Sequence, residues 1–184
     1  MRLLLVDDHR TIRTYLRALL GSIPGAEVVA EASSGEEAIA LARELHPDVV
    51  LMDISMKGMN GQEATKVIRR ELPEVRVLIL SQHVEEEYLL RAFYAGACGY
   101  LPKSAAGAEL GSALAALERG ETCFSPSIPI REFEHCAPRL AELGNSLTQR
   151  RRGIPTLPKA DRSIAEDNRK SITPPSPLLP GDAS

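Results

Sequence analysis

The run Asp48-Val-Val-Leu-Met-Asp53 constrains the fold more than any other stretch of the chain. It is apolar, rich in β-branched residues, and ends abruptly in an acid. A short run without polar alternation reads as a strand buried on both faces, inside a parallel sheet covered by helices. Asp53 is thereby delivered to the carboxyl end of a strand, the edge of an open α/β sheet where ligands bind. Arg2-Leu-Leu-Leu-Val, closed by Asp7 and Asp8, has the same design.

The rest of the first 120 residues repeats strand and helix in alternation. Thr11 to Leu20 places Ile12, Tyr15, Leu16, Leu19 and Leu20 at helical spacing and stops at Gly21. Glu27-Val-Val-Ala is a short strand, and Ser33-Ser34-Gly-Glu-Glu opens a helix that ends before His46-Pro47. Gln62 to Glu71 is the third helix, Val75 to Leu80 a fourth strand running into Ser81, and Glu85 to Ala95 a fourth helix. Gly99-Tyr-Leu reads as a brief fifth strand before Pro102-Lys103, and Ala105 to Arg119 as the last helix of the series. Five such repeats with short loops predict a doubly wound, five-stranded parallel sheet of the flavodoxin-like order 2-1-3-4-5, since the sixth strand and glycine-rich turn of a Rossmann sheet are absent from the pattern.

Beyond Gly120 the pattern changes. The pattern predicts a domain over 1–121, a linker over 122–145 with a candidate helix at Arg131 to Leu143, and a disordered, basic, Pro-rich tail over 146–184. Nine of the 13 prolines fall at or after Pro126. Up to Asn145 there are 15 Lys and Arg against 21 Asp and Glu, whereas the remainder has 7 against 4, so the globular part is acidic and a poor match for nucleic acid. No apolar run is long enough to span a bilayer, and Asp7 and Asp8 interrupt the N-terminal apolar residues before a signal core can form. A cytoplasmic location is expected. Cys98, Cys123 and Cys136 lack paired spacing and read as reduced thiols.

In the expected strand order, Asp7, Asp8, Asp53, Ser81 and Lys103 converge on one sheet edge. Three carboxylates so placed repel one another, and a hard divalent cation such as Mg²⁺ answers that repulsion with oxygen ligands. Lys103 adds a point charge and Ser81 a donor, so the set suits metal-assisted phosphoryl chemistry with Asp53 as a carboxylate nucleophile.

Val6-Asp7-Asp8-His9, Val50-Leu-Met-Asp53-Ile-Ser-Met, Gly58-Met-Asn-Gly61, Ile79-Leu80-Ser81 and Gly99-Tyr-Leu-Pro-Lys103-Ser resemble, in order and spacing, the receiver domain of two-component response regulators of the NarL/FixJ group. The resemblance covers about residues 1 to 120. It implies that Asp53 accepts a phosphoryl group from a phosphohistidine of a sensor histidine kinase. It further implies that Asp8, the Asp53 carboxylate and the Ser55 backbone carbonyl bind Mg²⁺, with Asp7 acting through a coordinated water. Lys103 would pair with the phosphoryl oxygens, Ser81 would hydrogen-bond them, and Tyr100 would turn inward and reshape the Glu85 to Tyr100 surface, used for dimerisation or an output domain. His9 is given no role beyond starting a helix.

Two departures stand out. Lys57 occupies a loop position where this group usually has Pro, which would stiffen the loop. Leu147-Thr148-Gln149-Arg150 looks like the opening of a LuxR-type helix-turn-helix domain, but the 36 residues after Thr148 are not periodic, so that domain is expected to be missing or degraded. The leading expectation is a response regulator that works through protein contacts, as a homodimer or with another regulator, and that is not an enzyme because it turns over no separate substrate. The alternatives are a DNA-binding regulator acting through its tail or an intact partner, and a Mg²⁺-dependent hydrolase. The hydrolase is disfavoured because Asp53-Ile-Ser-Met lacks the second Asp of the D-x-D-x-T pattern.

Overall fold

The computed structural model describes residues 1–126 and 128. The strands are β1 (Arg2–Val6), β2 (Glu27–Ala32), β3 (Val49–Asp53), β4 (Arg76–Ser81), β5 (Gly99–Pro102) and β6 (Cys123–Phe124). The helices are α1 (Arg10–Gly21), α2 (Gly35–Leu45), α3 (Gly61–Glu71), α4 (Glu86–Tyr94) and α5 (Ala106–Glu118), with a 3₁₀ turn at Lys103–Ala105 leading into α5.

The sheet is parallel throughout and runs β2-β1-β3-β4-β5-β6. The expected doubly wound order is therefore present, with one correction. The sheet has six strands among the described residues, not five, because Cys123 and Phe124 pair with Gly99 and Tyr100 inside the stretch read as linker. Ile128 is also buried, at 1% exposure, so the domain continues past residue 121. The candidate helix at 131–143 and the tail at 146–184 lie outside the described residues.

Every residue of β3 is buried, and its alternation divides the protein into two cores. Val50 and Met52 face a cluster with Ala38, Ile39, Ala64, Ile68, Leu89 and Tyr100, under α2, α3 and α4. Val49 and Leu51 face Leu16, Leu20, Leu110, Leu114 and Leu117, from α1 and α5. Burying each such side chain contributes about 1.5–3 kcal/mol.

Local chemistry fixes the helix starts that border the sheet edge. Ser34 caps α2 by accepting the Glu37 N–H at 3.2 Å, while the Glu37 carboxylate accepts the Ser33 N–H at 2.7 Å, a reciprocal capping arrangement. Asn60 caps α3 through the Glu63 N–H at 2.9 Å. Gly61 follows because a Cβ there would run into the Asp53 carbonyl oxygen. The start of α3 is thereby seated directly on the end of β3.

Candidate functional site

β1, β3 and β4 are neighbours in the sheet, so their carboxyl ends bring Asp7, Asp8, Asp53 and Ser81 to one edge. Lys103 follows β5 and reaches across. Its Nζ lies 2.6 Å from Asp7 Oδ2 and 2.9 Å from Asp53 Oδ1. Asp7 and Asp53 are 1% and 3% exposed, so this cation bridges two carboxylates that have almost no water. Burial pushes the Asp53 carboxyl above its ordinary pKa, with Lys103 opposing the shift and Asp7 adding to it. The Ser55 N–H also donates to this carboxylate, from the loop that follows β3.

His9 joins the cluster, which the sequence reading did not foresee. Its Nδ1 is 2.7 Å from Asp8 Oδ1 and 3.5 Å from Asp7 Oδ1. One ligand atom from each of Asp7, Asp8, His9 and Asp53 lies within 4.8 Å of the others. Asp7 Oδ2 and Asp8 Oδ1 are buried without a hydrogen bond of good geometry, although each touches a nitrogen as an ion pair. Carboxylate oxygens gathered within 4.8 Å of one another, with nearly all the donors hard, fit a divalent cation such as Mg²⁺.

Ser81 and Tyr100 form a second group behind the first. Ser81 is fully buried and its Oγ accepts the His83 N–H at 3.0 Å. Tyr100 is also fully buried, and its hydroxyl donates to the His83 carbonyl oxygen at 2.8 Å. The ring that the resemblance expects to turn inward is thus already inward. Burial raises its phenol to about pKa 12, an effect that the adjacent Ser81 hydroxyl partly offsets.

His83 is the other residue that the sequence did not single out. Its Nε2 meets Ser55 Oγ at 3.0 Å, and its ring stacks on Tyr88 with centroids 4.0 Å apart and planes 6° from parallel. It therefore links the loop after β3 to α4. Lys57 is exposed, and the structure places no described ion pair on it.

Comparison with known proteins agrees with this arrangement. Residues 3–115 match the family model of the response regulator receiver domain. The response regulator protein VraR of Staphylococcus aureus is 38% identical over 150 residues, covering 82% of this chain and 71% of that protein. Among solved structures, a LuxR-family two-component response regulator from Aurantimonas sp. SI85-9A1 superposes with a TM-score of 0.67 at 42% identity, over 77% of this chain and 95% of that one. The isolated receiver domain of RcsB from Salmonella enterica serovar Typhimurium, determined with the phosphomimetic BeF₃⁻, gives a TM-score of 0.65 at 27% identity, over 70% and 95%. The chain belongs to the response regulator receiver family of two-component systems, with LuxR/NarL-type regulators as its relatives. Among the described residues no helix is long and apolar enough to cross a membrane.

Proposed function

We propose that this receiver is a phosphorylation switch in which Asp53 takes a phosphoryl group from the phosphohistidine of a sensor histidine kinase. The observation that carries this reading is the Lys103 ammonium, held 2.6 Å from Asp7 and 2.9 Å from Asp53 at an edge that also presents Asp8. A carboxylate oxygen of Asp53 attacks phosphorus, and the new O–P bond forms as the donor's P–N bond breaks. The imidazole nitrogen leaves with the bonding pair and takes up a proton. Lys103 is in place to meet the added charge on the phosphoryl oxygens.

Asp8, the Asp53 carboxylate and the Ser55 carbonyl would hold Mg²⁺, with Asp7 supporting it through a coordinated water. The ion would neutralise negative charge on the transferring group and its acceptor. Ser81 ends β4 beside the acceptor and would donate to a phosphoryl oxygen, drawing on the loop whose His83 N–H it now accepts. Because Tyr100 bonds the same loop, phosphorylation would be read as a change in the surface around α4.

The output is contact with another protein, either a second copy or another regulator. The protein turns over no separate substrate and works in the cytoplasm.

The test is intact mass after incubation with Mg²⁺ and acetyl phosphate, with Asp53→Asn as the control. One phosphoryl mass on the native chain alone supports the reading. No adduct, where an ordinary receiver is labelled in parallel, refutes it.

A further inference from the structure

The loop between β3 and α3 holds Ser55, yet at position 57 it has Lys rather than a residue that locks the backbone. It is instead gripped from outside. The Met59 N–H donates to Glu36 Oε1 at 3.1 Å, from the first turn of α2. Two glycines make that approach possible. A Cβ on Gly35 would lie 2.7 Å from the Met59 carbonyl oxygen, so α2 sits directly against the loop backbone. Gly58 has φ +77°, and a Cβ on it would lie 3.2 Å from Glu36 Oε1. A side chain at Gly35 would push the helix off the loop, and one at Gly58 would strain the backbone and crowd the Glu36 carboxylate.

The carboxylate is exposed, with three donors around it. Its own backbone N–H, the Met59 N–H and the Ser34 hydroxyl all bond it, and together they hold its pKa below the usual carboxylate range. It also sits at a helix N-terminus, where a negative charge is favoured. The loop therefore has one end seated on Asp53 by Gly61, its Ser55 N–H on the Asp53 carboxylate, and its middle tied to α2.

We propose that Glu36 is a positioning residue for the cation site, tethering the β3–α3 loop so that Ser55 stays in register with Asp8 and Asp53. The inference rests on the reading of that edge as a cation site. It does not require that Asp53 be phosphorylated. Glu36 touches neither the cation nor the acceptor, and acts through the Met59 amide and the loop backbone. Its hydrogen bond supplies from the neighbouring helix the stiffness that a ring-locked residue at 57 would supply from within.

The experiment is a Mn²⁺ titration of the native protein, followed by the loss of the free-ion electron paramagnetic resonance signal, on Glu36→Ala, Glu36→Gln and Glu63→Ala variants. Loss of a supporting outer contact predicts a roughly tenfold weaker Mn²⁺ affinity in Glu36→Ala, with Glu36→Gln, which keeps the acceptor oxygen, within about twofold of native. Glu63→Ala removes an exposed carboxylate at the start of α3 without touching the loop amide, and is expected to bind as the native chain does. Equal affinity in Glu36→Ala and native protein overturns the proposal. So does equal weakening in all three variants, which would reduce Glu36 to a bulk charge. Should Mn²⁺ binding depend on Glu36 while acetyl phosphate leaves no adduct, the phosphotransfer reading fails and the positioning role stands.

Discussion

The Tyr100 hydroxyl reaches 2.8 Å to the carbonyl oxygen of His83, joining the middle of β5 to the loop that leaves β4. Both Tyr100 and the Ser81 that precedes this loop are fully buried, while His83 is partly exposed, so the bond is half-buried. Tyr100→Phe removes the donor and leaves the carbonyl without it, at a cost of about 1 kcal/mol. The expected outcome is a lowered denaturation midpoint with faster amide exchange over residues 83–88. Labelling by acetyl phosphate should stay near native, because the phenol lies behind Ser81. Unchanged exchange in that loop would mean the bond does not hold it.

Asp53 makes the stability of the fold depend on pH. Burial raises its pKa in the fold, so the folded protein holds its proton more tightly than the unfolded chain. Its contribution to stability is present below the unfolded carboxylate pKa of about 4 and is withdrawn as pH rises through the folded value. Near neutral pH the native protein carries a buried, ionised group that Asp53→Asn lacks. The Asn variant should therefore melt a few degrees higher at neutral pH. That gap should close on acidification and on adding a divalent cation. A lower melting temperature for the Asn variant would show that the Lys103 pair outweighs burial.

Lys103 tests the same balance from the other side. Lys103→Met leaves Asp7 and Asp53 facing each other without their shared cation. Breaking a buried pair in this way costs about 3 kcal/mol. Adding Asp53→Asn to the variant should recover part of that loss, giving an interaction energy of about 1–2 kcal/mol in a double-mutant cycle by chemical denaturation. Strict additivity would mean that the ammonium and the carboxylate are not coupled.

Gly61 and Gly21 should respond oppositely to Ala. At Gly61 the new methyl would meet the Asp53 carbonyl, so the α3 start must move off the end of β3, at a cost of about 3 kcal/mol or more. At Gly21, the last residue of α1, nothing lies within 4 Å of the added carbon. Reduced freedom of the unfolded chain then gives a gain of about 0.5 kcal/mol. Urea midpoints of the two variants check both signs.

The parts of this protein legible in its sequence are those set by continuous apolar runs. Leu3-Leu-Leu-Val and Val49-Val-Leu-Met announce strands covered on both faces, and the acids that end them mark the working edge. Strand β6 could not be read this way, because two residues form no pattern and Cys123 pairs with Gly99 across the whole of α5. The roles of His9 and His83 were hidden for different reasons. His9 needed only the observation that it follows Asp8 at the start of α1, whereas His83 depends on Ser55 and Tyr88 meeting it in space. The Glu36 tether was equally nonlocal, although Gly35 and Gly58 mark its place once the α2 contact is known.

The short strand β6 also covers the outer edge of β5. An uncovered strand presents a row of free amide and carbonyl groups, which a foreign strand can pair with. On the β5 side that row is occupied, since Cys98 and Tyr100 give their carbonyls to the Cys123 and Ser125 amides, and Phe124 lies against Phe93 with ring centroids 4.6 Å apart. A chain cut after Gly120 would bare this border together with the core residues that Ile128 packs against. Such a fragment should keep its cation site and yet stick to itself, scattering more light than the longer chain at equal mass concentration.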